Sequence, residues 1–504
     1  MRLREWLAVM FASPEVTGWT RRRDLLITMA FAAAVGGWLF AYKLKSYYGL
    51  ATTSDLFETE QLATSWLHGR FLVDNCFGHI LAIHTYLFTP VLAVLALPFG
   101  APGLLAAAGL AMAAGLVATV KILRLFSVPF GVALVYALTV TTMPLVVHFY
   151  QDAVYGFHVE LLLPAMGLWL AYFVLGRNWT GSVLMSLAVL SVKEDAPLVA
   201  MAVGAMAFCE HAIRSANPGS GRERQSWRRR VNLPALAVVI IGAAALPILL
   251  HVIRANTSVA GYGGGFERLR VVGGFKVTSG STLVAFFLGH WADWLRSPAV
   301  STWLGLAVSA TLGLVALRPH ALVVGLPLSV ISWLMVDDLL WPPRFAISLT
   351  FFLMVGILAF ASVWQIFRRA ALSGFKGRIA AAAVVVLAAF GVVRGFQAQL
   401  TAAPDAREVY ALNPKLPYSP EDMARAEALF SIYRREGKPN EPVVAVSYLF
   451  RYAEGRDLYW WNRMENRPAP VWILWDDVSN PVGDRTSHYD LLGRSGRFSL
   501  HKKR

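Results

Sequence analysis

Apolar blocks of 15 to 20 residues recur from Leu25 to about Val393, and they limit what this chain can fold into. Each is about long enough to cross a ~30 Å hydrocarbon core as a helix. No water there satisfies free peptide groups, so such blocks pack with all their backbone bonds internal. Only 15% of the 504 residues are charged, against about a quarter in soluble domains, which excludes a cytosolic enzyme. The expected architecture is an all-α polytopic membrane protein of about 11 transmembrane helices over residues 1–400. Residues 401–504 form a small C-terminal α/β domain in this reading.

The formal net charge of +15 is unevenly placed. Residues 401–504 hold 16 Lys/Arg and 14 Asp/Glu, which leaves 30 basic and 17 acidic residues for the first 400. That excess suits cytoplasmic loops under the positive-inside rule and gives no reason to expect a nucleic-acid partner. Arg21-Arg22-Arg23 directly precedes the first block, Leu25–Tyr42, so the amino terminus is expected in the cytoplasm and the first span uncleaved. Six arginines between Arg214 and Arg230, and the basic run Arg368–Arg378, are further cytoplasmic anchors. The later spans read as Val231–Ile253, Val300–Leu317, Ala321–Val336, Phe345–Trp364 and Ile379–Val393. Counting crossings places the C-terminal domain outside the cytoplasmic membrane. Two cysteines, Cys76 and Cys209, give no disulfide framework.

The stretch from Lys43 to Phe208 admits two solutions. If His84–Gly100 spans, then Lys121, Arg124 and Arg177 fall outside. If it only dips into the bilayer or lies along it, a first outer loop runs over residues 43–103. The spans then become Leu104–Val120, Phe130–Val147, Leu161–Leu175, Ser182–Val192 and Ala196–Phe208. The second solution puts the three cations inside and is preferred. It also moves Asp55, His158, Glu160 and Lys193-Glu194-Asp195 to one outer face. Its weak point is Ser182–Val192, which is short for a span. Gly261–Gly265 lacks the ending of a phosphate loop and reads as a flexible outer loop, with Arg268 and Arg270 following as anion contacts if it folds over a site.

In the C-terminal domain, Ser419-Pro420-Glu421-Asp422 marks a helix start and Gly437 its end. Val443–Val446 and Val471–Trp475 read as buried strands. Asp476-Asp477 at a strand end is either a ligand site or, the preferred reading, a solvated end.

Ionisable groups beside spans are costly and so direct attention to function. Thr53-Ser54-Asp55 opens a capped helix, with Asp55 and Glu58 three apart on one face. Asp55 either charges that helix start or acts in a site. Asp74, His79 and His84 follow. His158 and Glu160, after Tyr150-Gln151-Asp152, can converge on one metal ion or phosphate if the backbone there is extended. Lys193-Glu194-Asp195, three charges between apolar runs, need partners or a water-filled cavity. Arg344, after Asp337-Asp338, is a candidate anion contact. His251, His290 and His320 read as interfacial.

These segments, Ser54-Asp55-Leu56-Phe57-Glu58 with Trp66–Gly69, His84 ahead of Pro90 and Pro98, Gly156–Leu161, and Val192–Ala196, resemble a bacterial family of predicted integral membrane proteins. That family, named as a domain of unknown function, is related to the GT-C superfamily of polyprenyl-phosphate-dependent glycosyltransferases. The resemblance implies a GT-C-like fold and a sugar moved from a polyprenyl-phosphate donor to an acceptor outside the cytoplasmic membrane. It implies Asp55 as catalytic base, with Glu58 as substitute. Lys193, with Glu194, Asp195, His84 and Arg344, would serve the substrate and its carrier phosphate. His158 and Glu160 would hold a divalent metal ion, though a histidine there departs from a carboxylate pair. A transporter or lipid-handling protein is the alternative, and a non-catalytic scaffold a third. No inverted repeat is visible, which favours the enzyme.

Overall fold

The computed structural model describes residues 18–75, 78–82, 84–152, 155–216, 231–256, 342–372, 379, 393–397, 399–401, 403–438, 440–446, 448–455, 458–460, 469–479 and 488–504. The expected spans 300–317 and 321–336 lie outside these residues, as do Gly261–Gly265, Arg268, Arg270, His290, His320, Asp337-Asp338 and nearly all of 379–393. Elements below are numbered among the described residues.

The first long helix, α1 (Gly18–Tyr48), carries the apolar block and begins at the tri-arginine segment. A shorter helix, α2 (Ser54–Thr64), follows, and then the two-residue strands β1 (Val73–Asp74) and β2 (Gly78–His79) pair antiparallel. Next come α3 (Thr89–Phe99) and α4 (Ala101–Leu125). At 11 residues α3 is ~16 Å long, too short to cross alone. It reverses into α4 at Gly100, whose φ of +62° and ψ of −148° suit glycine alone. A Cβ there would lie 2.5 Å from Glu454 Oε1.

Helices α1 and α4 cross antiparallel and nearly touch: a Cβ on Gly36 would lie 2.6 Å from the Gly109 carbonyl, and the reverse substitution is as tight. Small residues allow such approach between apolar helices. Among the described residues four helices are long and apolar enough to cross a membrane: Arg22–Tyr48 within α1, α4, Leu233–Val252 and Phe345–Gln365. The expected single span Phe130–Val147 is instead a bent pair, α5 (Phe130–Thr141) and α6 (Pro144–Gln151), meeting at 57°. Pro144, with no N–H to donate and a ring that crowds the preceding turn, breaks the helix there. Shorter apolar helices complete the bundle: α7 (Leu163–Leu175), preceded by a 3-10 turn over Val159–Leu162, α8 (Trp179–Leu190) and α9 (Pro197–Ala216). At 12 residues α8 reaches ~18 Å and does not span by itself. Two more long helices are described, α10 (Leu233–Asn256) and α11 (Pro342–Leu372). The protein is a multi-pass membrane protein, mostly helical.

The directions of the helices sort the charges. Lys121 and Arg124 end α4, and the Lys121 ammonium lies over the rings of Trp169 and Tyr172 near the end of α7. Arg177 follows and donates to the Val231 carbonyl. These three cations share the end of the bundle where α1 starts. His158, Lys193 and the C-terminal unit share the other, here the distal end.

The C-terminal unit opens with α12 (Ala406–Tyr410) and α13 (Pro420–Glu436). Ser419 Oγ accepts from the Asp422 N–H at 3.1 Å, the cap its sequence leads one to expect. Five strands follow: β3 (Val443–Ala445), β4 (Leu458–Trp460), β5 (Trp472–Asp476), β6 (Tyr489–Ser495) and β7 (Phe498–Lys503). Their order is β4-β3-β5-β7-β6, with β3 parallel to both neighbours and the rest antiparallel. Phe430 and Tyr433 of α13 pack on Phe498 and Trp472. Asp476 is not a solvated strand end. It is fully buried, and Arg497 donates to both its oxygens at 2.9 Å, with Tyr418 and Ser479 adding hydroxyls. The apolar core runs unbroken from α1 through the helices into this sheet.

Candidate functional site

The distal end gathers side chains from four stretches of chain. Asp55 stands in the first turn of α2, with Thr53 at the cap position making no side-chain bond. The Asp55 carboxylate turns to His158 Nε2, at 2.9 Å, and stays 25% exposed. Asp152 Oδ2 lies 2.8 Å from the other ring nitrogen, Nδ1, and is buried. A histidine between two carboxylates results, with one carboxylate enclosed and the other open.

The loop that carries Asp152 and His158 is held from below. Asp152 ends α6 with φ +39°, a left-handed conformation that short polar side chains tolerate. Lys43, near the distal end of α1, is 2% exposed, and its ammonium donates to the Gln151 carbonyl at 2.7 Å and the Gly156 carbonyl at 2.5 Å. A lysine closing an apolar helix would ordinarily extend to the interface. This one pins both ends of the Asp152 turn.

A second chain of contacts runs beside the first. Glu160 Oε1 accepts from the Tyr86 hydroxyl at 2.8 Å and lies 3.0 Å from Lys193 Nζ. Glu194 Oε1 lies 2.9 Å from His84 Nδ1, and Oε2 accepts from the Thr85 N–H at 3.3 Å. Lys193-Glu194-Asp195 join α8 to α9, and Lys193 and Glu194 find partners on other elements. The segment from His84 to Tyr86 is thereby tied to the α8–α9 break and to the start of α7.

The two chains share one electrostatic environment. Burial drives the His158 ring toward neutrality, but Asp152 and Asp55 outweigh it and raise its pKa well above the usual histidine value. Burial also opposes charge on Lys193, and Glu160, Asp195 and Glu194 overcome it. Glu194 is held at about 2, because His84 and Lys193 more than offset its burial. Burial lifts Asp195 to about 6, with Glu194 and Glu160 adding to it against Lys193. Tyr86 is raised by burial and then by Glu160, so its hydroxyl stays a donor.

Of the residues singled out in the sequence, Asp55, His84, His158, Glu160, Lys193, Glu194 and Asp195 come together here. Glu58 is buried a turn further along α2. Arg344 falls in the first turn of α11, and its side chain is outside the described residues. The expected metal pair is not formed. Both nitrogens of His158 face carboxylates, and Glu160 Oε1 faces the Lys193 ammonium, while Glu160 Oε2 is buried without a hydrogen-bond partner. Among the described residues no group of three or more His, Cys, Asp or Glu is arranged to hold a metal ion. The donor set does not fit one.

Sequence reasoning passed over Asp152, Tyr86 and Lys43 as site residues. Asp152 carried a signal, an acid six residues before His158 at the end of an apolar run. Tyr86 and Lys43 carried none, since their partners lie 74 and more than 100 positions away.

A family model described as "Predicted membrane protein (DUF2079)" matches residues 46–470. No match was found among curated protein sequences. Among solved structures the chain is similar to ArnT from Cupriavidus metallidurans bound to undecaprenyl phosphate, at 11% identity and a TM-score of 0.45, covering 96% of this chain and 98% of that one. It is similar as well to the oligosaccharyltransferase of Archaeoglobus fulgidus in complex with Zn and sulfate, at 10% identity and a TM-score of 0.45, covering 94% and 73%.

Proposed function

This chain belongs to the DUF2079 family of predicted membrane proteins, and from that premise we propose that it is a GT-C-type membrane glycosyltransferase. It moves a sugar from a polyprenyl-phosphate donor to an acceptor on the outer face of the cytoplasmic membrane, which the distal end then faces. The observation that carries the reading is the convergence of Asp55, His158 and Asp152 with Glu160, Lys193 and Glu194 on one end of the bundle. The motif resemblance supplies the reaction class.

Asp55, the open carboxylate, takes the proton from the acceptor hydroxyl as that oxygen bonds to the anomeric carbon. The bond from that carbon to the phosphate oxygen breaks, and its electron pair leaves with the carrier phosphate. Lys193 has two ammonium hydrogens beyond the one directed at Glu160, and these offset the charge that builds on the phosphate. His158, fixed by Asp152, orients the Asp55 carboxylate. No step passes through a metal.

The test compares lipids and glycans of a deletion strain with those of wild type. The deletion is expected to remove one glycosylated product and to accumulate its sugar-loaded carrier. A wild-type copy restores the product. Asp55→Asn, folded and at wild-type abundance, does not. Full restoration by Asp55→Asn removes Asp55 from the mechanism.

A further inference from the structure

A second polar space lies away from the Asp55 cluster. Phe57, Glu60, Gln61 and Thr64 recur at i, i+3, i+4 and i+7 along α2 and line one wall of a cavity of about 430 Å3. Asp55 lies roughly 200° around the helix from Phe57 and is not part of this wall. The facing wall belongs to the C-terminal unit and includes Asn440 and Glu454. Its volume falls within the ~300–1,000 Å3 of small-molecule sites.

Among the described residues the polar part of the lining is amide, hydroxyl and carboxyl, with Phe57 set beneath it at 2% exposed. Gln61 and Asn75 supply amides, and Thr64 and Ser65 hydroxyls. Glu454 is a carboxylate with two donors already, the Tyr47 hydroxyl and the Ala101 N–H. Glu60 stands next to it, and burial and then the Glu454 charge push its pKa up to about 8, so at neutral pH it donates as well as accepts. Among the described residues Arg70 is the one Lys or Arg of the lining, with the exposed His68 beside it at the mouth. A phosphate would want more positive charge. Hydroxyl-bearing rings want donors and acceptors side by side, and Glu60, Gln61, Thr64 and Asn440 place both along this cavity. Next to the mouth Trp66, Leu67 and Phe71 are 45%, 45% and 54% exposed, as at a membrane–water boundary.

We propose that this cavity is a saccharide-binding site, formed jointly by α2 and the C-terminal unit and separate from the Asp55 cluster. Its ligand is a neutral, hydroxyl-rich ring, either free or as the headgroup of a glycolipid. The site rests on its own geometry and stands whether or not Asp55 transfers a sugar.

The experiment places the full chain in phosphatidylcholine nanodiscs and reads saturation-transfer NMR with the methyl glycosides of glucose, galactose, mannose and N-acetylglucosamine. At least one glycoside is expected to receive saturation. Thr64→Trp fills the cavity from α2, and Asn440→Trp fills it from the opposite wall, so a folding fault in one does not decide the matter. Each should weaken binding about tenfold or more. Galactosyl diacylglycerol added to the bilayer suppresses the glycoside signal if a glycolipid headgroup is the ligand, and leaves it unchanged if a free saccharide is. No saturation of any of the four glycosides, or full binding by both tryptophan variants, overturns the proposal.

Discussion

Replacing Lys193 with methionine separates two things that one ammonium does at the distal end. Lys193 Nζ lies 3.0 Å from Glu160 Oε1, with side chains 11% and 2% exposed. Methionine keeps the apolar stem and removes the charge, leaving Glu160 with the Tyr86 hydroxyl it already had. Breaking one side of a buried ion pair costs about 3–5 kcal/mol. Total stabilities run about 5–15 kcal/mol, so the loss is large. The double variant Glu160→Gln/Lys193→Met removes both charges and keeps an oxygen to accept from Tyr86. Exchanging a buried pair for neutral groups of like size is often close to neutral, so the double variant should recover most of the loss. Thermal unfolding in detergent at pH 7, followed by tryptophan fluorescence, reads both. Sugar transfer should be absent in both, because neither has the ammonium. Stability that returns without activity is the expected signature. A Lys193→Met protein that unfolds at the wild-type temperature, or a double variant no more stable than the single, would refute the reasoning.

Three further outcomes follow from the packing and the charges. Gly109→Val should drive α1 from α4 and lower the folded yield several-fold by size-exclusion chromatography, whereas Gly37→Val, with nothing within 4 Å, should behave as wild type. Arg497→Met leaves the buried Asp476 carboxylate without its cation and should cost about 3–5 kcal/mol, seen as faster hydrogen exchange in β5 and β7. Glu60, raised to about 8 by burial and by Glu454, keeps a proton that the unfolded chain releases near 4.5. Its contribution to stability is therefore full below about pH 4.5 and falls as pH rises toward 8. Glu60→Gln should flatten the stability profile across that window, and a profile as steep as wild type would show that another group sets it.

What the sequence made legible was whatever depends on neighbours along the chain. The apolar runs announced α1, α4 and α11, because a bilayer imposes a length on them. Ser419 and Pro420 announced α13, because a cap is a local bond. The clustering of Asp55, His158 and Lys193 at one end was legible through charge bias, which orders the helices without knowledge of their contacts. The pairings were not. His158 took two carboxylates where a metal was expected, since Asp152 reaches it only through a left-handed turn that Lys43 holds closed. Asp476 found Arg497 across 21 residues and was buried, where a strand-end acid ordinarily stays wet. The kink at Pro144 was not read either, since residues 130–147 were expected as one span, and its 57° depends on what α5 and α6 pack against.

Glu454 joins parts of the chain that are made at very different times. Its carboxylate accepts from the Tyr47 hydroxyl, 407 positions earlier, and from the Ala101 N–H, 353 positions earlier. At about 5–20 residues added per second, some 20–80 seconds separate the synthesis of Tyr47 from that of its partner. Through that interval the start of α4 and the end of α1 wait with a donor unmet, and α2 lacks the far wall of its cavity. A chain ending between residues 401 and 453 keeps α1 to α11 and lacks the carboxylate that closes the distal end.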